Sequence, residues 1–385
     1  LTEGTEQFGG IEYLHLFDWG SVPGVGRVYG RTGDVSPFDN YLKGGSEAFR
    51  QAIAAVQEQG VRVGLYIEGY LLEEKGRLGV PGKDWQIRLR NGEPFYWPKS
   101  SEMMICSQVP AWRDVQAGTY AARVRELGVN GMYMDQLGFA NPEKDCWSPA
   151  HGHAVPGDTV LGERGLSRLV RERVDAVRPG VVLYDEEVPC DVNSQIIDGS
   201  FSYHMKQCRW NRPLAPLHPL RFAIPSFKTF EILVCDHPMG SWAEGVKWTF
   251  FNGEGIWLEG PAEGWFAAET RDTIRRCHAI LREHRDAFSS DEPMPLEPTL
   301  TPGVFANAFP VPGKVVQTLY NARHRSVTAI VPWPTGIPAA GARVEDAWNR
   351  TPLAVQNREG RAVVAVELGP RDVGCVVFRP AGQAP

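Results

Sequence analysis

The chain has 385 residues, of which 43% are hydrophobic and 22% charged, and it carries a net charge of −6. This composition is typical of a soluble globular protein with room for one barrel-sized domain of about 250 residues and a smaller one of about 100. The acidic charge and the lack of long Lys/Arg runs argue against nucleic acid or a membrane as partner, and no apolar stretch reaches the roughly 18 residues of a membrane span.

Residues 1–290 alternate short β-like runs with helical periodicity. Helix signals, with apolar residues on one face, lie at 46–60, 111–127, 166–177 and 274–288. Eight strand candidates accompany them, which is the number of a TIM-type (β/α)8 barrel. The candidates are IEYLHLFDW (11–19), VRVGLYIEG (61–69), MMICS (103–107), GMYMDQ (131–136), VVLYDEE (181–187), GSFSY (199–203), FKTFEILVC (227–235) and GEGIWLEG (253–260).

The composition changes after residue 290. A Pro-rich connector is followed by short alternating strands such as VVQTLYNA, VTAIVPW, AVVAVELG and VGCVVFRP, separated by turn residues. The sequence therefore predicts an α/β fold, with a catalytic (β/α)8 barrel over 1–290 and a β-sandwich domain over 291–385.

Acidic residues follow the predicted barrel strands, where catalytic groups of TIM barrels lie. A purely structural barrel has no reason to collect acids on one rim, since buried like charges repel and raise each other's pKa. Glycoside hydrolysis needs two carboxyl groups, one as acid and one as nucleophile or base. The strand-end acids are Asp18, Glu68, Asp135, Asp185, Glu186, Glu187, Glu231 and Glu259.

Asp135 directly follows an apolar strand and precedes Gln136 and a glycine, as in a strand that opens into a pocket. An Asp that caps the loop or pairs with an Arg is the structural alternative. In the LYDEE segment, alternation points Glu186 to the opposite face from Asp185 and Glu187. The residues alone leave open which face enters the barrel mouth.

A metal site is the competing interpretation of the loop after Asp135. Cys146, His151 and His153 could ligate zinc together with Asp135, but their spacing fits no recognised ligand pattern. We therefore predict no metal and no cofactor, and expect a loop that covers the substrate. The predicted contacts to sugar hydroxyls or rings are Asp18, Trp19, Glu68, Tyr133, Gln136, His151, His153, Asp185, His204 and Glu259.

The chain has seven cysteines and no CxxC pair, so it predicts no disulfide framework. The odd number favours free thiols and a reducing compartment such as the cytoplasm. Because the sequence begins with Leu1, a secreted and processed protein stays open as an alternative.

The segment ELGVNGMYMDQLG, with the later Cys, HGH and LYDEE, resembles the glycoside-hydrolase-like barrel proteins of bacteria, many of them known only as a domain of unknown function. These are distantly similar to retaining α-glycosidases, including endo-α-N-acetylgalactosaminidases and α-amylase-like enzymes. The resemblance implies a nucleophilic Asp at the end of the fourth strand and an acid/base Glu at the end of the fifth. Carried over, these are Asp135 and Glu186, with Glu187 in reserve, and the strand count agrees.

One departure concerns the sugar. The α-amylase-like pattern has an Arg two residues before the nucleophile, where this chain has Tyr133. The sequence thus predicts a retaining glycoside hydrolase for α-linked carbohydrate, with the sugar and the oligomeric state left open. The alternatives are a metal-dependent hydrolase using Asp135, His151 and His153, and a non-catalytic glycan-binding barrel.

Overall fold

The computed structural model divides the chain into two compact units. The first unit is Ile11–Phe201, and the second is Leu1–Gly10 with Ser202–Pro385. The described residues are 1–17, 19–22, 26–27, 36–37, 44–98, 100–138, 141–187, 190–203, 216–232, 243–258 and 266–382.

The secondary structure of the described residues alternates as expected up to about residue 258 and is then mainly β. The helices are α1 (Thr2–Phe8), α2 (Gly45–Glu58), α3 (Gly79–Trp85), α4 (Pro110–Leu127), α5 (Thr159–Val177), α6 (Pro219–Ala223), α7 (Ala243–Phe251), α8 (Ala268–Glu283) and α9 (Arg285–Phe288). The first strands are β1 (Tyr13–Leu16), β2 (Gly20–Val22), β3 (Gly26–Arg27), β4 (Ser36–Pro37), β5 (Arg62–Glu68), β6 (Leu71–Glu73), β7 (Glu102–Met104), β8 (Gly131–Asp135), β9 (Val182–Glu186), β10 (Gly199–Ser202), β11 (Lys228–Ile232) and β12 (Gly255–Trp257). The later strands are β13 (Met294–Glu297), β14 (Val304–Val311), β15 (Lys314–Asn321), β16 (Val327–Pro332), β17 (Arg343–Asp346), β18 (Thr351–Pro352), β19 (Gln356–Arg358), β20 (Arg361–Leu368) and β21 (Val373–Arg379).

A seven-stranded sheet with the order β1-β5-β8-β9-β10-β11-β12 confirms the mixed α/β class. The pairings of β5 with β8 and of β8 with β9 are parallel, as βαβ connections through α4 and α5 require. Closure into an eight-stranded barrel stays a prediction, since the order runs from β1 to β12 without a described pairing between these two ends.

Helices α4 and α5 come before and after β8 in the chain, and the capping residues of each helix explain where it begins or ends. Helix α4 begins at Pro110, which suits a first turn, and ends before Gly128, whose φ of +67° forms the left-handed cap. Helix α5 begins after Asp158, whose Oδ1 accepts a hydrogen bond from the Leu161 N–H at 3.2 Å. The two helices pack side by side.

The candidate strand at 103–107 does not join the parallel sheet. Strand β7 instead pairs antiparallel with β6, with Leu71 opposite Met104, inside the excursion that follows β5. The apolar side chains of 103–107 are therefore buried within this excursion and not in the parallel sheet. Counting it among the parallel strands was wrong, and in the sheet as described Asp135 ends the third strand and Glu186 the fourth.

Two separate antiparallel sheets follow residue 290, as the sequence predicts. One has the order β13-β14-β15-β21-β17-β18 and the other β16-β20-β19, and side chains of both share one apolar core. The six-stranded sheet also shares a second apolar core with α7, α8 and α9. These helices therefore belong to the same compact unit as the later strands, and the boundary between the two units falls between residues 201 and 202. A functional domain boundary at 290 stays a prediction. No described helix has the length and apolar composition to cross a membrane.

Candidate active site

Three neighbouring strands of the first unit carry the same pattern, a tyrosine followed two residues later by an acid. The segments are GLYIE (64–68), GMYMD (131–135) and VLYDE (182–186). The parallel register places Tyr66 opposite Tyr133 and Glu68 opposite Asp135. Because side chains two residues apart share a face of a strand, tyrosines and acids form two successive layers on one side of the sheet.

Asp135 is held by two tyrosine hydroxyl groups. Tyr66 Oη donates to Oδ2 of Asp135 at 2.6 Å, and Tyr133 Oη donates to Oδ1 at 2.8 Å. The Asp135 side chain is nearly buried, and Tyr133 is completely so. With both carboxylate oxygens engaged, the group has one orientation.

Glu68 lies beside Asp135 as its carboxyl partner. Its Oε1 accepts the Tyr70 N–H at 3.2 Å, and Gln136 Nε2 donates to its Oε2 at 3.4 Å. Burial, followed by the charge of Asp135 and a hydrogen bond to it, raises the pKa of Glu68 well above its usual value. This shift favours the neutral form of the Glu68 carboxyl group.

Glu186 stands next to Asp135 across the strand pair. The register of the pair ends with Met134 opposite Asp185, one residue before each acid, so Asp135 and Glu186 follow on the same face at neighbouring strand ends. Burial raises the pKa of Tyr66 and Tyr133, and the charges of Asp135 and Glu186 add to that rise in both. We call Glu68, Asp135 and Glu186 the carboxylate cluster.

Asp185 is not part of this cluster, because alternation turns it to the other face of the sheet. It is completely buried, and the burial, followed by the charge of Glu163 on α5, raises its pKa well above the usual value. Entry of either face into a barrel mouth stays a prediction. Glu186 faces the same side as Asp135, and Asp185 faces a helix.

Left-handed backbone follows both strand-end acids. Gln136, after Asp135, has φ of +58°, and Glu187, after Glu186, has φ of +60°. Among the described residues of the first unit, these are the only residues other than glycine with positive φ. Such strain costs on the order of 1–3 kcal/mol per residue and concentrates at functional sites. The chain therefore leaves both strands through a left-handed residue directly after the acid.

Lys144 brings a positive charge to the carboxylate cluster from the loop between β8 and α5. Its Nζ donates to the Gln136 carbonyl oxygen at 3.0 Å and lies 4.0 Å from the centre of the Tyr70 ring. Burial lowers the pKa of Lys144, while the charges of Glu68 and other nearby acids oppose this. The loop is therefore tied to the end of β8.

Sequence reasoning missed Tyr66 and Lys144. The repeated tyrosine two residues before each acid was the available signal for Tyr66. Lys144 has no comparable signal, because only the path of the loop brings it back to Gln136.

The remaining predicted contacts, apart from His151 and His153, divide into three groups. Trp19 is buried as part of the scaffold, where its Nε1 donates to the Tyr66 carbonyl oxygen at 2.7 Å and its ring stacks on Phe49. Tyr133 and Gln136 contact the carboxylate cluster itself. Asp18, His204 and Glu259 lie outside the described residues.

His151 and His153 come together with two cysteines. Cys106 Sγ lies 3.4 Å from Nε2 of His153, and Cys146 Sγ lies 3.3 Å from Nδ1 of His151. In the described part of the chain this is the one group of His, Cys, Asp and Glu side chains placed to share a metal ion, and Asp135 is not in it. The alternative ligand set of Asp135, His151 and His153 is therefore not assembled.

Comparisons with known proteins place the carboxylate cluster inside a family match. Residues 32–207 match a domain of unknown function, DUF6259. Two curated proteins, named "Putative glycoside hydrolase" and "Putative glycoside hydrolase 22789", are related. One, from Bacteroides thetaiotaomicron, is 36% identical over 144 residues, or 36% of this chain, and one from Monosiga brevicollis is 22% identical over 193 residues, or 47% of this chain. The matched segments span only 21% and 16% of the lengths of these relatives.

Solved structures of glycosidases share the fold. A maltogenic α-amylase of Thermotoga neapolitana superimposes with a TM-score of 0.68 at 13% identity, covering 98% of this chain and 92% of the amylase. A β-L-arabinopyranosidase of Geobacillus stearothermophilus gives 0.63 at 11% identity, covering 99% and 92%. An α-amylase of Geobacillus thermoleovorans, complexed with acarbose, gives 0.66 at 12% identity, covering 97% and 89%. The resemblance to a glycoside-hydrolase-like family, predicted from the sequence, is confirmed.

Proposed function

We propose that the protein hydrolyses glycosidic bonds of α-linked carbohydrate with retention, using Asp135 as nucleophile and Glu186 as acid/base. The observation that carries the proposal is the position of these two acids, side by side at the carboxyl ends of β8 and β9. Retaining glycosidases hold their two carboxyl groups roughly 5–5.5 Å apart, a separation that side chains on the same face of neighbouring strands can reach.

The reaction follows the two-step scheme of retaining enzymes. An oxygen of Asp135 attacks the anomeric carbon while the departing glycosidic oxygen takes the proton of Glu186, leaving a glycosyl-enzyme ester. Glu186, now a carboxylate, removes a proton from water. The water oxygen attacks the same carbon, and the bond to Asp135 breaks.

The tyrosines and Glu68 prepare Asp135 for both steps. Tyr66 and Tyr133 aim the carboxylate in the first step and donate to it as it leaves in the second. Protonated Glu68 avoids a second negative charge directly beside the nucleophile. These three groups act on Asp135, so we expect them to affect the rate rather than the choice of sugar.

The support for an α-linked sugar is less direct than that for hydrolysis. The names of the solved neighbours include α-amylases, and the sequence resembles retaining α-glycosidases. Tyr133 occupies the position of the α-amylase-like arginine and donates to Asp135, so the chain supports its nucleophile differently. We therefore propose the α linkage without proposing starch as the substrate.

The test is hydrolysis of a panel of aryl α- and β-glycosides by wild type, Asp135→Asn, Glu186→Gln and Glu187→Gln, each assayed with and without EDTA. We expect cleavage of an α-glycoside, a loss on the order of 10⁴-fold in kcat/KM for Asp135→Asn, and a loss of about 10²- to 10⁴-fold for Glu186→Gln. The loss in Glu186→Gln should shrink for aryl leaving groups of low pKa, which need little protonation.

The anomeric configuration of the first product, read by NMR during the reaction, separates retention from inversion. Full activity of Asp135→Asn would remove the proposed nucleophile, and a larger loss in Glu187→Gln than in Glu186→Gln would exchange their roles. Binding of glycans without turnover of any natural oligosaccharide would instead indicate the non-catalytic alternative.

A further inference from the structure

We propose that Cys106, Cys146, His151 and His153, here called the Cys/His cluster, bind one zinc ion in a structural site. One ligand atom of each residue lies within 4.8 Å of all the others. The two Sγ–N distances, 3.3 and 3.4 Å, are close to the edge of a zinc tetrahedron, which is roughly 3.6 Å for Zn–S of 2.3 Å and Zn–N of about 2.05 Å. The inference is independent of the proposed glycosidase activity.

The four side chains reach one point from two separate segments. Cys106 lies between β7 and α4, and the other three lie in the loop between β8 and α5. Cys146 and Gly157 exchange two backbone hydrogen bonds, at 3.2 and 2.6 Å, which close the stretch from 146 to 157 into a compact loop. Both histidines are inside this closed loop, so the backbone holds them near Cys146.

His153 presents the correct nitrogen to the centre of the cluster. Its Nδ1 lies 2.7 Å from the carbonyl oxygen of Ala154, to which only a protonated nitrogen can donate. The other nitrogen, Nε2, faces Cys106 with its lone pair. A second hydrogen bond that sets the tautomer and direction of the ring is the usual support of a metal-ligating histidine.

A glycine makes room for that histidine. A Cβ atom at Gly157 would lie 2.6 Å from Cε1 of His153. The His153 ring therefore packs directly on the backbone that is paired with Cys146. The loop is shaped to bring this imidazole close to the thiols.

The chemistry of the four ligands points to zinc. Two thiolates would neutralise the charge of Zn²⁺, and two sulfurs with two imidazole nitrogens form a familiar tetrahedral set. Both cysteines are buried, at 3% and 1% exposure, while the histidines are half-buried. Since protein side chains fill all four positions, the site is of the structural kind and leaves no place for a reacting water.

Sequence reasoning named Cys146, His151 and His153 as possible ligands but missed Cys106, because it lies 40 residues before Cys146 and only the fold brings it to the others. The bound ion would fix the loop that also carries Lys144, whose Nζ donates to the carbonyl oxygen of Gln136. The site would thus hold one wall of the carboxylate cluster while taking no part in chemistry there.

The experiment measures metal in purified protein expressed with zinc in the medium and kept under reductant. We expect one zinc per chain in wild type and a loss of zinc in Cys106→Ser, Cys146→Ser and His153→Gln. Cys190→Ser is the matched control, since Cys190 lies outside the cluster, and it should keep its zinc. Removing zinc from wild type should lower Tm by roughly 5 °C or more, and re-addition should restore it.

Cobalt substitution covers the case in which the variants fail to fold. Wild type reconstituted with Co²⁺ should show the strong visible bands of a tetrahedral ion and a thiolate charge-transfer band. Wild type that binds neither zinc nor cobalt, or that contains a Cys106–Cys146 disulfide although zinc is present, would overturn the proposal. Asp135→Asn should keep zinc whatever its activity, so failure of the hydrolase proposal and failure of the zinc proposal give different results.

Discussion

The carboxylate cluster and the Cys/His cluster bring charged or ligating side chains together in different ways. The first is built on strands, where Glu68 and Asp135 are paired in register and their tyrosines lie in the layer beneath. The second is built on connecting segments, with Cys106 near one helix start and the histidines in a closed loop. A sheet repeats a local pattern from strand to strand, whereas a loop cluster depends on where distant segments meet.

This difference predicts that substitutions in the buried layer affect the two clusters unequally. The strand-borne cluster should respond to changes in the buried layer under it, while the loop-borne cluster should tolerate them. Three predictions, in order of decreasing effect, test the packing under the strand-borne cluster, and the second and third include zinc binding as the comparison.

The largest effect is expected on the free energy of unfolding as the pH falls. His15 lies beneath the carboxylate cluster with its ring centre 5.3 Å from that of Tyr133, and burial lowers its pKa from 6.5 to about 3. Between pH 6.5 and 3 the unfolded chain therefore binds a proton that the folded chain refuses. The stability due to neutral His15 is fully present above pH 6.5 and declines by up to about 1.4 kcal/mol per pH unit as the pH falls.

Urea unfolding from pH 7.5 to 4.5 tests this prediction. His15→Gln should show a shallower fall in unfolding free energy than wild type, whatever its stability at pH 7.5. His324→Gln, at an exposed position, is the control and should follow the wild-type slope. Parallel curves for wild type and His15→Gln would show that His15 is not the group responsible.

The next effect concerns the hydroxyl groups that hold Asp135. Tyr133→Phe and Tyr66→Phe each remove one donor to this carboxylate. Since a hydrogen bond to a charged group contributes about 1.5–3 kcal/mol, kcat/KM should fall roughly 10- to 150-fold in each variant. Zinc content should not change.

Tyr13→Phe is the matched control for the tyrosine variants. Tyr13 Oη donates to Tyr184 Oη at 3.1 Å rather than to an acid, so its removal should leave kcat/KM near the wild-type value. An equal loss in all three variants would indicate that the tyrosine layer acts only through stability.

The smallest effect is expected from alanine substitution of one glycine near each cluster. A Cβ at Gly131, on β8, would lie 2.1 Å from Tyr13 Oη, whereas at Gly152, between the two histidines, it would meet nothing within 4 Å. Gly131→Ala should therefore cost about 1–3 kcal/mol through overpacking. Gly152→Ala should cost roughly 1 kcal/mol, because its φ of +76° disfavours alanine.

Urea unfolding at pH 7.5 measures both glycine costs, and metal analysis shows whether Gly152→Ala keeps its zinc. If Gly152→Ala destabilises the protein more than Gly131→Ala does, the packing of Tyr13 against Gly131 is less tight than the structure indicates.

Part of this molecule was readable from the amino-acid sequence. The apolar run that ends at Asp135, the LYDEE segment and the antiparallel strands after residue 290 are set by local periodicity, and the structure contains them all. The alternation of side chains along a strand is by itself enough to separate Glu186 from Asp185. Alternation does not determine which of the two acids lies on the same face as Asp135, because that depends on which side of β9 the tyrosines and α5 occupy.

The tertiary structure decided what local patterns cannot encode. Strand β7 has a strand-like sequence, yet it pairs with β6 and leaves the parallel sheet, which moves Asp135 to the third strand. Lys144 reaches the carbonyl oxygen of Gln136, and Cys106 reaches His153, only through the path of the connecting loops. Periodicity reports the environment of a residue relative to its neighbours in the chain, whereas these contacts depend on strand register and loop path, which arise from the packing of the whole unit.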